Sequence, residues 1–376
     1  MARKLSASHP IKHIDWTFVA LIIALAAYGA LFIYSATAAT DGYHFLRLQI
    51  GWIIVGLLGM AFMASFDYLK LRTYSGVIYG AVVVLLILVF IIGQVLLGAQ
   101  RWIPLGPFTL QPSELAKLAL IIMLATLLSK RKDAGVEKQD FFVALGYTGL
   151  YLILVFIQPD LGTALVFAAI MFGMMFAAGV NLWALTGLGT AGVLGAILAV
   201  KLNILHQYQV TRLLVFLNPQ SDPTGAGYNI TQSKIAVGSG QLFGRGLFLG
   251  SQTRLNFIPH GYADFIFAVL SEQLGFLGGL ALIVLFSLLL WRILKIARDS
   301  RDLFGTLLCV GVLSSFLFQA FVNIGMNIGI MPVTGIPLPL ISYGGSSFLA
   351  TMMSLGLVLN VAMRKYGGVA ERAQTF

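Results

Sequence analysis

Long apolar runs recur along this chain, each about the 20 residues that a helix needs to cross a bilayer core. No other feature restricts its possible folds so tightly. FVALIIALAAYGALFIYSA, VIYGAVVVLLILVFIIG and FLGGLALIVLFSLLLW are representative. Hydrocarbon offers no partner to a free backbone N–H or C=O, so successive runs of this kind fold as a bundle of helices. About ten runs qualify, near 15–37, 45–66, 74–97, 112–129, 141–158, 161–179, 182–201, 264–291, 303–325 and 343–363. With 59% hydrophobic and 10% charged residues, the chain lies far from soluble usage, where about a quarter of residues are charged. The expected fold class is an all-α polytopic membrane protein, a single domain over residues 1–376.

Lys and Arg collect in alternate gaps, and cytoplasmic loops retain them. DYLKLR, KRKDAGVEK and RILKIARDSR occupy one set of gaps, and the terminal runs ARKLSASHPIKH and MRKYGGVAER are basic too. In the other set, ATAATDGYH carries no Lys or Arg, and the loop after the third span carries Arg101. Both termini are therefore expected in the cytoplasm, with an extracytoplasmic loop of residues 202–263 between spans 7 and 8. The formal net charge of +10 fits this topology and attraction to anionic lipid, not a nucleic-acid partner. The first apolar run exceeds the 7–15 residues of a signal-peptide core, so it is read as an uncleaved anchor.

Ionisable residues inside a span cost about 2.5–3.5 kcal/mol each and usually face a partner or a cavity. In GAQRWIPLGPFTLQPSELAKLAL, Ser113 is the candidate helix cap, and Glu114 and Lys117 are spaced to pair on one face. Arg101 and Trp102 precede them. In IQPDLGTAL, Asp160 follows a proline and suits the N-cap of the next helix. The external run QYQVTRLLVFLNP, with Tyr208, Leu213, Phe216 and Leu217 near one face, fits an interfacial helix with Arg212 at the lipid headgroups or a packed loop helix. The run GSGQLFGRGLFLG lacks the Gly-Lys-Ser/Thr ending of a nucleotide loop. Its glycines beside Lys234, Arg245 and Arg254 suit either turns or a cradle for pyrophosphate. PHGYADFIFAVLSEQLGFLGG places Asp264 at the external end of the eighth span, with Glu272 two turns further in. Either a helix cap or a general base explains such an acid. Pro332, Pro337 and Pro339 forbid regular helix across 323–347, so that segment lines a cavity or re-enters the membrane. The five histidines are scattered and Cys309 stands alone, so no residues are assigned to a metal.

Taken together, GAQRW…QPSELAK, QPDLGT, DPTGAGYNITQSKIAVGSG, DFIFAVLSEQLG and GIPLPLISYGGSS resemble the SEDS (shape, elongation, division and sporulation) family of cell-wall proteins, in its order and over nearly the whole chain. GAQRWIPLG favours the elongation branch. The resemblance implies a bacterial cytoplasmic-membrane glycosyltransferase that polymerises lipid II on the extracytoplasmic side, with undecaprenyl pyrophosphate leaving. It also implies a class B penicillin-binding protein as partner. It puts the catalytic acid on Asp264, the family's ion pair on Glu114 and Lys117, and a further acid on Asp160. Polar-cavity candidates are Arg101, Trp102, Gln232, Lys234, Arg245, Ser342 and Ser346. A divalent cation (Mg or Mn) is the candidate cofactor, with no organic cofactor. HGYA before Asp264 departs from the Glu and His-Thr usual in the family. A lipid flippase and a scaffold without chemistry are the rival readings; an assay on lipid II separates all three.

Overall fold

The computed structural model describes residues 13–40, 42–96, 99–106, 108–130, 137–202, 207–223 and 225–365. The basic N-terminal run up to residue 12, most of the 130–138 run, the end of the C-terminal basic run, His9 and His206 lie outside the described residues, as do the side chains of Tyr208, Leu213 and Leu217.

Each predicted span overlaps a helix: α1 (Trp16–Thr37), α2 (Gly42–Ser65), α3 (Leu69–Ile92), α4 (Pro112–Leu128), α5 (Lys138–Ile157), α6 (Leu161–Ala177), α7 (Leu182–Lys201), α11 (Ile266–Arg298), α12 (Leu303–Ile328) and α13 (Gly345–Met363). Eight of them are long and apolar enough to cross a membrane. The helices α4 and α6 are shorter, at 17 residues each. Between α7 and α11 lie α8 (Gln207–Leu217), α9 (Ala226–Ser239) and α10 (Ser251–Arg254).

The third span departs most from expectation. α3 stops at Ile92, and the apolar residues after it turn into β1 (Gln94–Leu96), β2 (Ala99–Leu105) and β3 (Phe108–Leu110). These form a three-stranded antiparallel sheet in sequence order. Gly93 is extended, and its carbonyl accepts from Gln100 Nε2 at 2.8 Å, which closes the helix end onto the hairpin. The α4 start also differs from the reading that made Ser113 the cap. Pro112 occupies the first turn, Gln111 holds the N-cap position without a side-chain bond, and Ser113 is buried inside the helix. A proline, with no N–H to lose, is well suited to that place.

α4 is buried along almost its whole length and is wrapped by α3, α5, α6, α12 and α13. α13 lies along α2. α7, in which Leu185 alone is buried, hangs on the outside beside α6. The packing of α8 favours the packed-helix reading, since Val215 enters a small apolar cluster with Ile230, Ile258, Phe265 and Met326.

α11 is not continuous. At Gly275 the backbone turns to φ 66° and ψ −160°, a region open in practice to glycine alone. The carbonyls and amides freed by the break pair with the chain after α9. Arg245 and Gly246 N–H donate to the Glu272 and Gln273 carbonyls at 3.0 Å each, while Phe276 and Leu277 N–H donate to the carbonyls of Gln241 (2.8 Å) and Leu242 (3.2 Å). Gly240 and Gly244 pass so close to α11 that a Cβ on either would collide with the Ser271 or Gln273 carbonyl. The glycine-rich run is thus built to lie against a broken helix. Its Arg245 and Gly246 amides are engaged there, which removes them from a pyrophosphate cradle.

Candidate active site

The loop before α11 presents Asp264 beside the proline-rich segment. α11 begins at Ile266 with Phe265 in the N-cap position and no side-chain capping bond, so capping does not account for Asp264. Its own carbonyl is held from α12, accepting from Asn323 Nδ2 and Asn327 Nδ2 at 3.1 Å each. On the other side, Ser342 Oγ donates to the Ala263 carbonyl at 2.6 Å, and Tyr343 N–H donates to the Tyr262 carbonyl at 3.0 Å. Asn323 Nδ2 also donates to the Ile336 carbonyl at 2.8 Å. The segment that three prolines keep out of helix is thereby stitched to the backbone around Asp264. Tyr262 and Tyr343 meet edge to face at 5.7 Å.

Asp264 is half-buried and lies outside the span. Burial pushes its carboxyl above the usual carboxylate range, and the charges of Arg212, then His260 and Arg101, pull it partly back. Arg212 therefore faces the acid, as well as lying near Gly335, where an interfacial helix would have sent it to the headgroups. Lys234 and Arg245 are exposed. The Lys234 stem covers Gly329 at the end of α12, and Arg245 Nε donates to the Ser239 carbonyl at 3.2 Å. Gln232 is half-buried on α9.

A second polar group forms at the α5–α6 corner. Asp160 caps α6, accepting from Thr163 N–H (3.2 Å) and Thr163 Oγ1 (2.9 Å), and accepts from Gln111 Nε2 at 3.3 Å. Arg101 stands 3.7 Å from it and donates to the carbonyls of Gln158 and Pro159. Cap and ion partner are thus the same carboxylate, and the pair ties the β-hairpin to the bundle. Trp102 follows Arg101 on β2, half-buried opposite Gln94. Ser346 Oγ donates to the Thr109 carbonyl (2.7 Å) and accepts from Gln111 N–H (3.2 Å), joining α13 to the same hairpin.

Glu114 and Lys117 form a buried ion pair at 2.6 Å, and Lys117 Nζ donates to Gln319 Oε1 at 3.3 Å. Beside them a cavity of about 10 Å³, lined also by Ser315, Thr351 and Ser354, has room for about one water. Sequence reasoning passed over Asn323, Asn327 and His260 and left the place of Arg212 open. Two asparagines four residues apart on an apolar span were a readable sign, because a polar pair on one helix face inside the membrane needs a partner.

Residues 15–367 match the FtsW/RodA/SpoVE family, described as cell cycle proteins. The chain belongs to that family. It is 39% identical to the stage V sporulation protein E of Bacillus subtilis, covering 93% of this chain and 96% of that one. It is also 39% identical to the peptidoglycan glycosyltransferase MrdB of Escherichia coli, over 93% of each. Among solved structures, a chain from a peptidoglycan synthase complex that coordinates polymerization and crosslinking superposes with a TM-score of 0.80 at 33% identity, covering 94% and 98% of the two chains. The rod shape determining protein RodA of Thermus thermophilus gives 0.71 at 31% identity, with the same coverage.

Proposed function

We propose that this membrane enzyme is a peptidoglycan glycosyltransferase that polymerises lipid II into glycan strands during cell elongation, at the outer face of the bacterial cytoplasmic membrane. The observation that carries the reading is Asp264, an acid that does not cap its helix and whose backbone is held from α12 and from the proline-rich segment. In the proposed step an Asp264 oxygen takes the proton of the acceptor sugar's 4-hydroxyl. The acceptor's 4-oxygen, freed of its proton, bonds to the anomeric carbon of the growing glycan, the bond from that carbon to diphosphate breaks, and undecaprenyl pyrophosphate leaves. A carboxyl held above its usual range is a stronger base once ionised. Arg212 and Arg101, the cations that bear on Asp264, suit the charge that grows on the diphosphate.

A divalent cation fits this site poorly as a resident group. Among the described residues no three His, Cys, Asp or Glu side chains gather, and Asp264 stands among cations. The elongation branch rests on the GAQRWIPLG wording. The proposed partner is a class B penicillin-binding protein; likeness to a chain of a synthase complex that coordinates polymerization and crosslinking supports a crosslinking partner. The test incubates purified protein with lipid II, with and without that partner and Mg or Mn, and resolves the products by gel. Strands from wild type and none from Asp264→Ala support the reading. Strands from both move the base elsewhere, and none under any condition, with lipid moving across vesicles, replaces the polymerase by a flippase.

A further inference from the structure

At the far end of α11 from Asp264, on the order of 40 Å along the helix at about 1.5 Å per residue, a polar cavity of about 320 Å³ opens between the ends of α1, α11 and α13. His13, Asp15, Trp16, Arg292, Lys295 and Lys365 are among the residues that line it. We propose that this cavity binds the phosphate of an anionic phospholipid headgroup in the leaflet on the basic side of the protein.

The charges are arranged for it. Asp15 is committed: it caps α1 through Phe18 N–H at 3.1 Å and takes a two-pronged bond from Arg292 at 2.8 and 2.9 Å. Asp299 lies a looser 3.5 Å from Lys365. Lys295 sits 5.7 Å above the Trp291 ring and adds a positive charge beyond those two pairs. α1 also points its amino end, through Trp16 and Thr17, at the same space, where the helix dipole favours an anion. The depth argues for a lipid phosphate over a dissolved one. Trp16 is 71% exposed at the rim and Trp291, one turn from Lys295, is 56% exposed, and tryptophan settles at headgroup level. Basic pockets between membrane helices on the cytoplasmic side take anionic headgroups. A lipid seated here would join the ends of three helices, one of which leads to Asp264.

The test is native mass spectrometry of the detergent-purified full chain titrated with phosphatidylglycerol, phosphatidylcholine or inorganic phosphate. Lys295→Gln is compared with Lys70→Gln, an exposed lysine outside the cavity. Arg292 is left intact because it holds the α1 cap. Wild type should retain phosphatidylglycerol over phosphatidylcholine, and Lys295→Gln should bind it about fivefold more weakly, matching about 1 kcal/mol for one lysine at a membrane surface. Lys70→Gln should match wild type, and the three proteins should melt alike without anionic lipid. Equal loss in both variants would reduce the effect to diffuse surface charge. No loss in Lys295→Gln, or competition by millimolar inorganic phosphate, would also overturn the assignment.

Discussion

Glu272→Ala should release the segment that clasps the broken helix. The Glu272 side chain is 0% exposed, and its carboxylate accepts three hydrogen bonds: from Gln252 N–H at 2.7 Å, Thr253 N–H at 3.0 Å and Thr253 Oγ1 at 2.6 Å. It thus serves as the cap that α10 lacks in its own sequence, where Gly250 occupies the N-cap position without a side-chain bond. Hydrogen bonds to a charged group contribute about 1.5–3 kcal/mol each. Water can reach half-buried Gln252 and restore part of the loss, leaving an expected cost of about 3–5 kcal/mol. Glu272→Gln keeps acceptor oxygen but brings an amide N–H towards backbone N–H groups, so it should fall between alanine and wild type. Arg254, at the end of α10, is exposed and offers trypsin a site that opens only when the segment lets go. If opening is fast relative to cleavage, about 3 kcal/mol raises cleavage on the order of 10²-fold. Mapping the first tryptic cut by mass spectrometry, beside a thermal melt in the same detergent, reads both effects. Cleavage of Glu272→Ala within about twofold of wild type, with an unchanged melt, would refute the anchoring role.

Gly275→Ala should fail to accumulate as folded protein, because its φ of 66° is strained for alanine and its Cβ would strike the Gly244 amide; size-exclusion profiles of tagged protein check this. Asp264→Asn should abolish polymerisation yet melt no lower than wild type at neutral pH. A carboxyl whose pKa is raised on folding supports the fold below its unfolded pKa and loses that support as pH rises through the folded value, a cost that asparagine does not carry. By the same shift, the wild-type rate of glycan synthesis should fall on acidification through a pH above the ordinary carboxylate value of 3.8. A rate flat down to that value would argue against Asp264 as the base. Lys117→Met should destabilise by about 3–5 kcal/mol by leaving Glu114 buried without its partner; the double change with Glu114→Leu should recover most of the loss in a thermal melt.

Much of this protein was legible before folding. A run of 20 apolar residues must be a helix in lipid, whatever surrounds it, because the hydrocarbon leaves the backbone no other partner. That local rule placed the long helices, and the acids and bases that interrupt them marked Asp264, Glu114 with Lys117, and Asp160. Where two residues lie three or four apart, as in the Glu114–Lys117 pair, helical spacing alone brings them together.

Where the partner is remote, the pattern is silent. Nothing in QVLLGAQRWIPLG distinguishes the last turn of a span from a strand, because apolar residues suit both and the choice was made by pairing of β1 with β2 and of β2 with β3. A glycine that makes a turn and a glycine that lets two backbones touch are the same letter, so GSGQLFGRG could not announce that it lies against the break at Gly275. Nor could Arg212 announce Asp264, 52 positions away in sequence. Sequence alone determined which segments form the long apolar helices and which acid stands just before α11. Only tertiary structure decided what faces that acid and what mends the broken helix, because those contacts form between segments whose residues gain nothing from one another until the bundle has closed.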